Sequence, residues 1–266
     1  MSLGICIKSP EGIILSAESR VTLSAAQPGG ALIHVHYDNA IKLFGFSAPH
    51  TYVGVVTWGA GAINLRTAHS FQPEFEATLP TDRLPVLKYA ELLRDFYMGQ
   101  WNAAVVGPYA GPPMTFIVAG FDEGQPYGRV FEVNIPTIPG PVEHQPKAGD
   151  FGLSWGGQRE IVDRLMQGFD ARVLGIVKAI LPMTPQQEHQ IVVALTQLQL
   201  PVPLQAMPLQ DCIDLALFFI KSTIDAQKLA VQVRGCGGFV DLATITRRDG
   251  FSFIQRKQIQ GERRGG

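Results

Sequence analysis

The strands of this chain come in groups rather than alternating with helices, and that grouping most constrains its fold. Leu3 to Lys8 reads as one strand and Ile13 to Glu18 as its return. Between them, Ser9-Pro10-Glu11-Gly12 is a turn in which Pro fixes φ and Gly tolerates positive φ. His34 to Phe46 and Tyr52 to Val56 are rich in β-branched and aromatic residues, as strands are. Two helices are expected next, Ala60 to Glu76 and Leu87 to Val105, the second from the spacing of Leu92, Leu93, Phe96 and Tyr97. Strands return at Met114–Phe121 and Arg129–Ile135, followed by a Pro-rich loop over 136–146. Helices are expected near 157–167, from Asp170 to about 181, after Thr184, and over 210–228. Gly168 fits a C′ position, and Thr184-Pro185-Gln186-Gln187 fits a capping box with Pro at the first helical residue. Strands at 229–234, 239–246 and 251–255 end the pattern. Segregated strands and helices predict an α+β fold rather than βαβ units. With no linker and no repeat, residues 1–266 read as a single domain with a short basic C-terminal tail.

Composition narrows the function classes. Hydrophobic residues make up 46% of the 266 and charged residues 17%, against a usual charged share of about 25%. The chain is therefore neither disordered nor highly charged, and low charge at this size hints at surface buried against partner subunits. A net charge of -1 supplies no field that would draw it to nucleic acid or an anionic membrane. Cys6, Cys212 and Cys236 are too scattered for a disulfide framework or a CxxC metal site. No apolar run approaches a membrane span, and the first residues lack the basic start of a signal peptide, so the cytoplasm is the expected location. His34 and His36 share one face of a strand, but no third ligand matches their spacing. Gly59-Ala60-Gly61 and Arg234-Gly235-Cys236-Gly237-Gly238 do not complete a phosphate-binding G-x-G-x-x-G. No cofactor and no metal are expected.

Several short motifs fall in a fixed order. Ser2 stands sixteen positions before Glu18, which lies in Ser16-Ala17-Glu18-Ser19-Arg20-Val21-Thr22. Lys42-Leu43-Phe44 follows, then Val118-Ala119-Gly120-Phe121-Asp122-Glu123, Gly152-Leu153-Ser154-Trp155-Gly156, and Gly237-Gly238-Phe239-Val240-Asp241-Leu242-Ala243-Thr244-Ile245-Thr246. Together they resemble the proteasome β-subunit family of N-terminal-nucleophile hydrolases, as a bacterial proteasome-type protease. The resemblance spans residues 2–256, with insertions near 24–33, 106–113, 136–150 and 183–209. It implies a four-layer αββα sandwich, a homo-oligomeric ring or closed assembly, a regulatory ATPase of unknown kind, and hydrolysis of peptide or unfolded protein.

By the same resemblance, Ser2 would be the nucleophile once Met1 is removed. Its freed α-amine, with an ordinary pKa of about 7.7–8.0, would be the base. Lys42 would sit by the hydroxyl, Glu18 would hold Lys42 by a charge-assisted hydrogen bond, and a backbone N–H at Gly59 would receive the oxyanion. Thr22 and Thr57 would flank an extended peptide, and Ser154 would take a supporting serine position. The chain departs from the family in carrying Ser for Thr, Val233 where a supporting Asp is usual, and Cys236 for the turn serine. Other readings stay open: Glu18 and Lys42 as a structural ion pair, a non-catalytic assembly subunit, or an amidase acting on small molecules.

Overall fold

β1 (Leu3–Lys8) and β2 (Ile13–Ala17) are buried at every position, because both faces of their sheet are covered. The computed structural model describes residues 2–26, 29–30, 32–64, 66–137, 139–170 and 172–261. In the first sheet, β12 (Gly152–Gly157), β1, β2, β13 (Asp241–Thr246) and β14 (Gly250–Gln255) lie side by side in that order. The second sheet runs β11 (Val142–His144), β10 (Arg129–Ile135), β9 (Met114–Gly120), β6 (Val53–Gly59) and β5 (Leu43–Gly45). Every neighbouring pair in both sheets is antiparallel. Cys6, Leu15 and Ala17 of the first sheet pack with Val56, Trp58 and Ile117 of the second.

One long helix packs against each of these sheets. α2 (Val86–Ala104) sets Tyr89, Leu93 and Tyr97 against the second sheet, with the Tyr97 and Phe116 rings 4.5 Å apart. α6 (Leu209–Leu229) sets Ala216, Phe219 and Ile220 on Leu3, Ile5 and Ile7. α3 (Glu160–Gln167) ends at Gly168, whose φ of 81° completes the left-handed cap.

The expected α+β four-layer αββα sandwich is corrected. The described residues form a mixed α/β arrangement with several antiparallel sheets and six α-helices. Two of those sheets are two-stranded ribbons, β3 (Val21–Ala26) with β4 (Leu32–Tyr37) and β7 (Ala62–Ile63) with β8 (Arg66–Thr67). α4 (Arg172–Ile180) and α5 (Pro185–Leu195) have no buried residue among those described. The motifs that suggested the sandwich mark strand ends, and strand ends do not fix the number of layers.

Local expectations are corrected too. The helix expected over Ala60 to Glu76 is β7, β8, a 3-10 turn and the short α1 (Gln72–Glu76). The strand expected at His34 to Phe46 breaks over 38–42, and the one at 229–234 does not form. Gly152-Leu153-Ser154-Trp155-Gly156, one of the motifs named above, lies within β12.

Candidate active site at Ser2, Glu18 and Lys42

The β1–β2 register pairs Gly4 with Ala17, so the residue entering β1 and the residue leaving β2 are neighbours. Those residues are Ser2 and Glu18, which are 5% and 1% exposed. Glu18 Oε1 accepts from the Leu3 N–H at 3.2 Å and from Lys42 Nζ. Its Oε2 accepts from the N–H groups of Arg20 at 2.6 Å and Gly237 at 3.0 Å. Lys42 Nζ also donates to the Arg20 carbonyl. Burying an ion pair is costly unless its remaining lone pairs and protons are satisfied, and here both carboxylate oxygens are bonded twice.

Ser2 is fixed through its backbone, its carbonyl accepting from the Gln158 N–H at 2.7 Å. Ser2 and Lys42 line one small cavity with Val21, Thr57, Trp58 and Gly61. Thr57 donates its hydroxyl to the Thr115 carbonyl at 2.9 Å, and its N–H reaches the Lys42 carbonyl at 2.9 Å. Gly59 ends β6 with φ 87°, and a Cβ there would lie 2.0 Å from the Pro113 carbonyl oxygen. Only glycine allows that close turn. The Ala60 N–H is taken by the same oxygen at 3.0 Å. β5 pairs only with residues 54–56 of β6, so the end of β6 has no β5 strand beside it. Thr22 lies on β3, its hydroxyl 3.1 Å from His36 Nδ1. Ser154 is placed elsewhere, opposite Cys6 in the sheet and 2.6 Å from His144 Nδ1. Met1 lies outside the described residues.

Sequence reasoning missed the partners that brace this cluster. Arg20 forks onto Asp38 at 2.6 and 2.7 Å. That hydrogen bond holds the Asp38 carboxyl below its usual range and pushes the Arg20 guanidinium up. Lys257 pairs with buried Asp241 and donates to the Ser19 hydroxyl at 2.8 Å. Arg20 was visible in the motif, but its partner became legible only once the β3–β4 ribbon brought Asp38 back. Val233 is 40% exposed and so supplies no support. Cys236 is buried, and burial pushes its thiol well above the ordinary range. No group of three metal-ligating side chains occurs among the described residues.

No protein-family model and no curated protein matches the chain. Solved structures do. Anbu (ancestral beta-subunit) from Yersinia bercovieri matches with a TM-score of 0.55 at 14% identity, over 96% of this chain and 88% of that one. Anbu from Hyphomicrobium sp. strain MC1 and the helical assembly of the Anbu complex from Pseudomonas aeruginosa match with the same values. The resemblance to the proteasome β-subunit family is thereby corrected. The structural neighbours are Anbu (ancestral beta-subunit) proteins, a distinct family. At 14% identity the likeness is one of fold, and it shows no family for the chain. No helix among the described residues is long and apolar enough to cross a membrane.

Proposed function

We propose that this chain is a proteasome-related subunit that hydrolyses amide bonds in peptides through Ser2. The observation that carries the reading is that Lys42, ion-paired with buried Glu18, lines the same cavity as Ser2. In this reading, processing leaves Ser2 as the first residue. Its α-amine takes the hydroxyl proton, and Ser2 Oγ attacks the carbonyl carbon. Lys42, held by Glu18, stabilises charge at Oγ. The Gly59 N–H receives the oxyanion, the proton passes to the leaving amine, and water hydrolyses the acyl-serine. An extended substrate lies between β3 at Thr22 and the free end of β6 beyond Thr57, as an added strand. We carry over from the helical assembly of the Anbu complex from Pseudomonas aeruginosa that copies of this chain associate with one another.

The test is a peptide epoxyketone followed by intact mass and peptide mapping. An adduct on Ser2, lost in Ser2→Ala together with peptide hydrolysis, is expected. Retained Met1 with no adduct overturns Ser2 catalysis and leaves a non-catalytic assembly subunit. A second reading, amidase action on a small molecule, is favoured by the small size of the cavity between Trp58, Ile41 and Ala68. Turnover of short amides but not of peptides would select it.

A further inference from the structure

The gap between the two sheets is apolar at its centre and polar at one edge. Val130, Glu132 and Asn134 alternate along β10, so they share a face. Val130 joins the inter-sheet core, which puts Glu132 and Asn134 on that side as well. On the facing sheet Ser154 sits opposite Cys6, another residue of that core. At this edge Ser154, His144 and Glu132 form a continuous relay. Ser154 Oγ is 2.6 Å from His144 Nδ1, and His144 Nε2 is 3.3 Å from Glu132 Oε2. The other Glu132 oxygen accepts from Asn134 Nδ2 at 2.7 Å, and Asn134 Oδ1 accepts from Thr115 Oγ1 at 2.6 Å. The carboxylate is thus oriented from its far side.

We propose that Ser154, His144 and Glu132 form a second nucleophilic site, distinct from Ser2, that takes acyl groups from small carboxylic esters. The three roles follow from the hydrogen-bond inventory. An ionised carboxylate only accepts, so the imidazole proton sits on Nε2 facing Glu132. Nδ1 then presents its lone pair to the Ser154 hydroxyl, which is the arrangement a general base requires. The His144 hydrogen bond, outweighing burial and joined by the one from Asn134, holds the Glu132 carboxyl below its usual range. It therefore stays ionised and able to steady an imidazolium. Ser154 is 8% exposed, while the side chains of His144 and Glu132 are 24% and 30% exposed. His144 and Glu132 are thus the solvent-facing members of the trio and Ser154 the buried one.

In the step proposed, Ser154 Oγ bonds to the ester carbonyl carbon while its proton passes to His144 Nδ1. The ester C–O bond then breaks, and that proton leaves with the alkoxide as an alcohol. Water, deprotonated by His144, cleaves the acyl-serine to a carboxylic acid and regenerates the hydroxyl. No oxidant or further reactant is needed.

The test uses the full chain and an alkyl fluorophosphonate, with the adduct mapped by peptide mass and p-nitrophenyl acetate hydrolysis followed in parallel. Phosphonylation of Ser154 is expected in the unaltered protein and, undiminished, in Ser2→Ala, so loss of the Ser2 reading would leave this one standing. His144→Gln should slow labelling by about 100-fold or more, Glu132→Gln by less, and Ser154→Ala should abolish it at an unchanged melting temperature. A folded, unaltered chain with no mass gain on Ser154 overturns the proposal, as does labelling that survives His144→Gln. Either result would make the trio a polar seal between the sheets.

Discussion

Glu18 carries more of the local structure than any other single side chain in the candidate site. Four donors converge on it, from Leu3, Arg20, Gly237 and Lys42. Replacing Lys42 by Met leaves a buried carboxylate without its cation, a change that typically costs about 3–5 kcal/mol. The three backbone donors remain, so Lys42→Met should fall near the lower end, read as a lower urea midpoint at unchanged slope. Glu18→Gln should also destabilise, because its amide nitrogen must face donors whichever way it turns. The double variant should lose less than the two single losses summed, and strict additivity would show that the pair is not coupled. Asp38 gives a prediction in pH. Its native pKa is depressed by the Arg20 hydrogen bond, so its contribution is complete above the ordinary value of about 4. That contribution is lost as pH falls through the lower native value. Thermal melts from pH 6 down to pH 3 should therefore steepen for the unaltered chain relative to Asp38→Asn, and parallel curves would count against the Arg20–Asp38 fork. Ser2, Glu18 and Lys42 were singled out through motifs that resemble a known family, and the structure sets Glu18 against Lys42 and Lys42 beside Ser2 in one cavity lining. Gly237 and Asp241 were not legible as partners, because their contacts with residues 18 and 257 depend on sheet order, which no local pattern encodes.

At the scale of elements, the site depends on how β6 locks against the first sheet. A Cβ on Gly4 would lie 2.4 Å from Trp58 Cε3, and one on Gly156 2.3 Å from Trp58 Cε2. The indole therefore occupies a slot made by two glycines on adjacent strands, β1 and β12. Gly4→Ala must push that ring aside, and overpacking of this kind costs about 1–3 kcal/mol. The expected result is a lower melting temperature with a shifted tryptophan emission, together with reduced reactivity at Ser2, since Trp58 walls its cavity. An alanine variant with unchanged stability and emission would show that the slot is loose. The same slot explains why the glycine-rich segment at 152–157 is a strand despite its poor strand propensity: only glycine admits the ring. The misread helix at 60–76 has a related cause. Ile63, Ala68, Phe71 and Phe75 do all reach one core, so the apolar spacing carried true information about burial. Asn64 at φ 54° turns the chain before a helix can form, and a left-handed residue of that kind is invisible to periodicity. Where local chemistry decides the outcome the reading was sound. Thr184 and Gln187 form the capping box, and Gly168 is the left-handed cap.

At the scale of the whole molecule, the question is what the chain does with its apolar surface. Charged residues are 17% of the sequence, and Ile176, Ile180, Leu181, Val192 and Val193 on and beside α4 and α5 are exposed. Contiguous exposed apolar side chains are uncommon on a monomer and usually mark a contact. Under the association proposed above, the symmetry of the contact has a measurable consequence. A heterologous interface whose rotation closes gives a ring of fixed size, and one whose rotation does not close adds copies without limit. The open case predicts a weight-average mass that climbs steadily with concentration in sedimentation equilibrium. The closed case predicts one fixed multiple of 29.0 kDa. An open series is the expected outcome here, since the association is drawn from a helical assembly rather than a ring. A fixed multiple would instead restore the ring implied by the sequence motifs. A 29.0 kDa species persisting to high micromolar concentration would remove association from the reading altogether, while leaving the chemistry at Ser2 to stand or fall on its own adduct.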